Sequence, residues 1–550
     1  MPSIRLQNMG GIAPRVSPRL LPLSAAQIAE NTKLWSGEVR AFRDGLRLSD
    51  QMPIAPIKTI FHIAGAWLAW KEDVDVVLGF TPDAPLGRVY YTGDGVPKVI
   101  QQVIAASEAP TPTSSYRLGL TPPAQAPVVS TVAPGSPAEF RSYVYTWMST
   151  FGEESVPSPP SPLIYVQDGL ATTINFSASI PPANVSNVRI YRSNGGPFIF
   201  VFEVPQFTGT WVDTVTNEDI KANEQLVSQY YYPPNPKMIG LIGTANGFLV
   251  GFWDNKVGFS VPYQPHAWPP EYVKIFDYPI VALATFDTTV VVFTTGYTYL
   301  VDGMDPQNLS VSRVNDVYPC VSKRSVSAGD RGVYYASDSG LTFVGAGGVS
   351  VVSKDLLDED NWAEWKPHTM HGTVYDGFYY GFFRGGTQTT DPNENGMGFV
   401  FDINDRASGA NNKALITTIP FYATAVFAAP DVRLHYTRSN LTVTSLYEWD
   451  RGTDYMEYLW RSKEFVFPYV VSFGAAKVVA RCEDARPCRV RLLDGDCNHV
   501  VFERAVTSPA PFRLPALNPR LNWVIEVAGT ADVQELHFAT NMKDLTEGDS

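Results

Sequence analysis

Groups capable of chemistry are sparse in this 550-residue chain, and where they gather they do so as short acidic pairs. Asp73 and Asp75, Asp302 and Asp305, and the run Asp355 to Asp360 are the places where carboxylates lie near one another in sequence. A glycosidase needs two carboxylates about 5 to 10 Å apart across a sugar cleft. Spacing along the chain does not set that distance between different sheets. Asp also favours tight turns, where its side chain hydrogen-bonds the nearby backbone, and turn chemistry is the expected role for all three groups.

Metal chemistry has one cluster to offer, Cys482, Cys488, Cys497 and His499. Its spacing is wider than that of paired zinc ligands. Cys488 alternates with Val490 and Leu492, which predicts a core strand instead. His368 and His371 would be neighbours only on a helix, and Pro367 with the strand-like sequence that follows argues against one. Asp494 to Asn498 lacks the repeated acidic ligands of a calcium loop. The glycines Gly345 to Gly348 are followed by neither Lys-Ser/Thr nor a helix, so they do not form a phosphate loop. A Gly-x-Ser-x-Gly nucleophile elbow is also missing. Acceptor sequences at Asn308 and Asn440 matter only in a secreted eukaryotic protein. The expectation is a non-enzymatic chain with no catalytic, cofactor-binding or metal residues.

The elements that would hold these residues are short strands. Hydrophobic residues make up 45% of the chain and charged ones 18%, enough to bury large cores. Aromatics at 13%, with 42 Gly and 44 Pro, favour strands and turns over helices. The net charge of −13 argues against a sequence-independent nucleic-acid binder, which needs a basic surface. Four cysteines are too few for a disulfide scaffold and fit a reducing compartment. The opening MPSIRLQNMGG lacks a signal-peptide layout, and no apolar run is long enough for a membrane span. The chain is expected to fold where it is made.

Between Met238 and Asp450 one pattern recurs: apolar strand, tight polar turn, apolar strand, Gly- or Asp-marked return. The turns fall at Asn246-Gly247, Asp287-Thr288, Arg331-Gly332, Asp376-Gly377 and Pro430-Asp431, roughly 41 to 54 positions apart. That is the period of β-propeller blades. The fold expected is all-β: a propeller of about six blades, discontinuous in sequence, with two added sandwiches. Residues 1–104 would hold an N-terminal segment and a first blade, the latter a hairpin over 57–80. Ser24 to Asn31 would make helical turns, and Lys33 to Gly45 an extended segment able to complete a later blade.

Residues 105–137, rich in Pro, Ala, Ser and Thr, read as a linker. Residues 138–229 alternate like a fibronectin-III-like sandwich, with Tyr143, Tyr145 and Trp147 on one face. Residues 230–457 carry the main blades, interrupted by an amphipathic helix over Lys354 to Trp365. Residues 458–550 read as a second sandwich and a polar tail.

YPCVSKRSV (Tyr318 to Val326) followed by GVYYASDSGL (Gly332 to Leu341) resembles structural proteins of short-tailed bacteriophages. The neighbouring TTVVVFTTGYTYLVDG, WAEWKPHTMHG and YDGFYYGFF, and the opening NTKLWSGEVRAFRDG, are similar to the same proteins. The family is that of tail nozzle, or tail tubular, proteins. The resemblance implies a virion tail protein that folds in the host cytoplasm and assembles as a ring, commonly a hexamer, below the portal and adaptor. It implies genomic DNA passing through the lumen without specific binding, and tail fibres or spikes as further partners. A fibre-attachment or receptor-binding protein and a propeller glycosidase are the alternative readings.

Overall fold

The computed structural model describes all residues except 1, 50–51, 53–56, 81–86, 206–207, 386–394, 404–414, 430, 441–442, 482–485, 496–498 and 546–550. Cys482, Cys497, Pro430 and most of the polar insertion between Gly385 and Gly396 therefore lie outside the described residues. The protein is all-β and built from many small sheets. Among the described residues no helix is long and apolar enough to cross a membrane.

Six antiparallel units of four strands form the body. Sheet I is Asp75–Leu78, Arg88–Thr92, Lys98–Gln101 and Tyr116–Arg117. Sheet II is Ile239–Gly243, Leu249–Trp253, Lys256–Phe259 and Val273–Ile275; sheet III is Ile280–Phe286, Thr289–Thr294, Thr298–Asp302 and Ser310–Arg313. Sheet IV is Ser327–Gly329, Gly332–Ser337, Gly340–Gly345 and Gly348–Val351, and sheet V is His371–Tyr375, Phe378–Phe383, Met397–Asp402 and Ile416–Ile419. Sheet VI is Ala425–Ala429, Val432–Ser439 and Thr444–Glu448, closed by Leu46–Ser49 from the N-terminal segment. The first strands touch in the order I to VI. A separate hairpin, Thr59–Ile63 with Ala66–Trp70, packs on sheet VI on one side and sheet I on the other, so the circuit closes.

Strand periodicity explains the circuit. Side chains alternate between faces, so a strand apolar at every position feeds two cores. In Thr289–Thr294, Val290 and Val292 pack into the core shared with sheet II, whereas Val291 and Phe293 pack into the core shared with sheet IV. Sheet V divides in the same way, Tyr379 to one core and Phe378, Tyr380 and Phe382 to another. The tight turns carry the left-handed backbone they need, with φ of 49° at Asp287, 50° at Asp376 and 77° at Gly247.

The N-terminal segment departs from expectation. Ser24 to Asn31 forms no helix; Ala26–Glu30 is a strand inserted between Ile416–Ile419 and Tyr458–Val471. Tertiary hydrogen bonds outweigh the local helical preference of SAAQIAEN. The insertion joins sheet V to the C-terminal strands as one nine-stranded sheet. Close approach is required here: a Cβ on Gly11 would lie 2.4 Å from the Ile416 carbonyl oxygen. Ser3–Leu6 pairs with Asp532–Ala539, and Trp460 Nε1 donates to the Gly10 carbonyl at 3.0 Å. The segment read as a blade-completing strand, Lys33 to Gly45, makes the short pair Thr32–Lys33 with Arg40–Ala41 and two single bridges, Val39 with Val533 and Arg43 with Tyr455, and completes no four-stranded sheet. Leu46–Ser49 does the closing.

Three further expectations need correction. The hairpin within 57–80 is a two-stranded sheet by itself, and the strands after it make sheet I. The stretch read as a linker holds part of the helix Gln102–Ser107, the outer strand of sheet I and Val128–Thr131. The predicted helix over 354–365 is confined to Glu359–Glu364. Asp358 caps it by accepting from the Asn361 amide, and Trp362 anchors it, fully buried with Nε1 donating to the Ser337 carbonyl at 2.8 Å.

Between sheets I and II the chain forms two facing sheets. One is Val128–Thr131, Thr172–Asn175 and Thr210–Asp213; the other is Ile164–Val166, Glu139–Ser149, Val185–Ser193 and Ile199–Pro205. Tyr143, Tyr145 and Trp147 share the core between them. Arg88 of sheet I ties this unit to the body. Its guanidinium lies 3.1 Å from the Glu153 carboxylate and donates to the Phe151 carbonyl at 2.6 Å.

Candidate functional site

The turn Lys323–Ser325, just ahead of sheet IV, is the meeting point of the body. Lys323 Nζ lies 3.0 Å from Asp73 Oδ1 and 2.7 Å from Asp75 Oδ1. The other Asp75 oxygen accepts from the Gly240 amide of sheet II at 2.8 Å and from the Thr92 hydroxyl at 3.4 Å. Arg324 donates to the carbonyls of Lys58, before the hairpin, and Thr424, before sheet VI. Ser322 Oγ donates to the Met370 carbonyl at the entrance to sheet V. One turn therefore reaches the entry ends of the hairpin and of sheets I, II, V and VI. It fills the hub.

Burial raises the Asp75 carboxyl above its ordinary range, with the Lys323 ammonium opposing and Asp73 adding to the rise. For Lys323, burial acts downward, but Asp75 and Asp73 outweigh it and its pKa is raised. His371 stands beside this cluster, 1% exposed, with its ring 5.8 Å from that of Phe382 and 5.3 Å from that of Tyr422. Burial first, then the Arg324 charge, holds its pKa well below the usual imidazole value, so it is neutral.

The paired carboxylates singled out by spacing, Asp73 and Asp75, are thus brought together. The ammonium of Lys323 sits within hydrogen-bonding reach of both, where a glycosidic oxygen would have to lie. The arrangement ties sheets together.

The remaining sequence candidates stay apart. Asp302 accepts from the Thr289 hydroxyl across paired strands of sheet III, and Asp305 caps the turn Pro306–Asn308 by accepting from the Gln307 backbone amide. Within Asp355 to Asp360, Asp358 is a helix cap. His368 is exposed in the turn Pro367–Thr369, whereas His371 is buried in sheet V. Cys488 is buried in the strand Cys488–Asp494, as its alternation predicts. Gly345 and Gly348 face each other across a hairpin. Among the described residues there is no group of three or more His, Cys, Asp or Glu placed to hold a metal ion.

Sequence reasoning missed a cavity of about 280 Å³ at the rim, between the N-terminal segment and sheets V and VI. Its apolar wall is Trp35, Phe42, Phe378, Tyr380 and Trp449, with Trp35 and Phe378 centroids 4.3 Å apart and Phe42 and Trp449 5.2 Å apart. Trp35 is 41% exposed, while Phe42, Phe378 and Trp449 are buried. Lys33, Asp376, Arg433, Asp450 and Arg451 surround this wall. Lys33 pairs with Asp450, whose other oxygen accepts from the Arg43 amide at 2.6 Å. Arg433 and Arg451 each place Nε 3.6 Å from the same Glu448 oxygen. The Asp376 carboxylate, exposed on a turn, makes no hydrogen bond or ion pair among the described residues. The lining comes from four separate stretches, so no spacing in the sequence could have revealed it.

No family model matches this chain, and neither does any curated protein. Solved structures give distant likenesses. One is a chain of the S. cerevisiae Dbp5 variant bound to Nup159, a Gle1 variant, IP6 and ADP: 9% identity over 61% of this chain and 84% of that one, TM-score 0.25. The N-terminal domain of Nup159 follows, with 9% identity over 60% of this chain and 100% of that one, TM-score 0.20. An exo-β-1,3-galactanase from Phanerochaete chrysosporium with β-1,3-galactotriose has 10% identity over 64% of this chain and 93% of that one, TM-score 0.16. At such scores these likenesses carry no argument about what this chain does.

Proposed function

We propose that this chain is a ring-forming structural subunit of a short-tailed bacteriophage tail, a nozzle protein that prolongs the DNA-exit channel below the portal and adaptor. In this reading sheets I to VI are six full propeller blades and the Thr59–Trp70 hairpin a short seventh. The unit between sheets I and II is a fibronectin-III-like insertion, and the C-terminal strands are the second sandwich. The resemblance of YPCVSKRSV and its neighbours supplies the family. The observation that carries the reading further is the hub of contacts: Lys323, Arg324 and Ser322 tie four entry ends together directly and a fifth, that of sheet II, through Asp75, and in this reading they occupy the place where a propeller enzyme would hold its substrate.

DNA therefore passes between copies of the subunit, at the centre of a ring of about six, and not through any one propeller. An acidic wall, in keeping with the net charge of −13, would let DNA slide past without counterion release. The insertion offers exposed apolar groups for neighbours or fibres, including Phe140 beside Tyr165 and Phe202 stacked on Trp211. The protein would fold in the host cytoplasm and reside in the virion tail. Electron-microscopic class averages of the purified protein, and of virions, test this. A six-fold ring in line with the portal is expected; a three-fold peripheral projection would favour the fibre-attachment reading and refute the nozzle.

A further inference from the structure

We infer that the rim cavity between the N-terminal segment and sheets V and VI is a binding site for a neutral saccharide, one pyranose ring deep. The inference is independent of the ring reading, since it concerns only this cavity. Ligand sites combine an apolar wall with a few polar groups that fix orientation. Here the wall is aromatic, and Trp35 stays 41% exposed at the mouth, although Phe42 and Trp449 behind it are buried. An exposed indole beside buried rings offers the flat apolar surface on which the C–H face of a sugar rests.

The rim supplies what the hydroxyls need. Asp376 is an exposed carboxylate without a hydrogen-bond partner among the described residues, and it can accept from two adjacent hydroxyls. Arg433 and Arg451 each lie 3.6 Å from Glu448, beyond hydrogen-bonding distance, with side chains about half exposed (54% and 51%), so both guanidiniums can donate to a ligand. Lys33, Arg433 and Arg451 are balanced by Asp376, Glu448 and Asp450. Balanced charge disfavours a phosphate or other anion and suits a ligand that both donates and accepts, as a polyol does. At about 280 Å³ the cavity lies at the small end of ligand sites, which limits it to a single ring.

The test uses the full-length protein and the methyl glycosides of glucose, galactose, mannose and N-acetylglucosamine, by saturation-transfer NMR and tryptophan fluorescence titration. At least one glycoside is expected to bind with a dissociation constant on the order of 1 mM, in the weak range of small ligands. Trp35→Ala and Asp376→Asn should each weaken it at least about tenfold. Asn tolerates the left-handed turn at this position (φ 50°), so the second variant changes charge without forcing the backbone. Circular dichroism of both variants should match the parent. Saturation transfer from none of the four glycosides would overturn the proposal. So would binding that both folded variants retain, or a loss of ring assembly on Trp35→Ala without any glycoside binding by the parent, which would make the cavity a subunit contact.

Discussion

Replacing Lys323 by Met tests whether the hub turn holds the body together. The ammonium lies 3.0 Å and 2.7 Å from two carboxylates, with side-chain exposures of 17% for Lys323, 36% for Asp73 and 21% for Asp75. Removing one partner of a buried pair costs about 3–5 kcal/mol, whereas an exposed pair contributes about 0–1 kcal/mol. Partial exposure places this cluster between the two, at about 2 kcal/mol. The chain has several units and need not unfold in one step, so a local readout is preferable to a global one. The Gly240 and Leu241 amides report directly, because they donate to Asp75 and to the Thr92 hydroxyl. A loss of about 2 kcal/mol corresponds to roughly thirtyfold faster hydrogen exchange at these amides.

The variant also changes the pH dependence of the cluster. The Asp75 pKa is already raised by burial, and without Lys323 it rises further. A carboxyl with a raised folded pKa binds its proton more tightly in the native state. Stability is therefore lost as pH climbs from the unfolded value through the folded one, and the loss should be larger in the variant. Adding Asp75→Asn should restore at least half of the protection. Exchange in Lys323→Met within threefold of the parent, or costs of the two single changes that simply add, would refute the reasoning.

At the junction of the insertion and the body, burial lifts the Glu153 carboxyl to about 7 and pushes the His266 imidazole down to about 3. Stability is lost through Glu153 as pH rises from about 4.5 to 7, and through His266 as pH falls from about 6.5 toward 3, so the two oppose each other over the shared interval. In urea titrations at several pH values Glu153→Gln should leave a stability that rises between pH 4.5 and 6.5, and His266→Leu one that falls, each by up to about 3 kcal/mol. Gly11→Val places a side chain against the Ile416 carbonyl, which a Cβ alone would meet at 2.4 Å. Limited proteolysis should then release the N-terminal segment from an otherwise folded body. Trp362→Ala empties a fully buried site and strands the Ser337 carbonyl; calorimetry should find a loss of about 3–5 kcal/mol.

Repetition made the body legible. Runs such as TVVVF and FYYGFF, apolar at consecutive positions, belong to strands buried on both faces, and the polar turns between them mark the hairpins. The N-terminal segment is not legible in the sequence, because Ala26–Glu30 acquires its conformation from Ile416–Ile419 and Tyr458–Val471, partners hundreds of residues away. Asp73 and Asp75 drew notice as an acidic pair, but their role depends on Lys323, which no local pattern connects to them. That lysine lies inside YPCVSKRSV, the stretch that carries the family resemblance, so the motif marks the hub. The rim cavity left no trace in the sequence because Trp35, Asp376, Arg433 and Trp449 meet only in the fold.

The pairing of Ser3–Leu6 with Asp532–Ala539 bears on when the molecule can be completed during synthesis. Ser3–Leu6 waits for a partner made far later in the chain, so a chain that stops before Asp532 keeps that strand unpaired. A chain that stops before Tyr458 also lacks the strands Tyr458–Val471 and Arg520–Gly529 of the nine-stranded sheet. Contacts this distant in sequence form late. Open strand edges invite wrong pairing and exposure to proteases. Pairing segments so far apart thus acts as a length check, by which only chains that reach Asp532–Ala539 close this sheet edge.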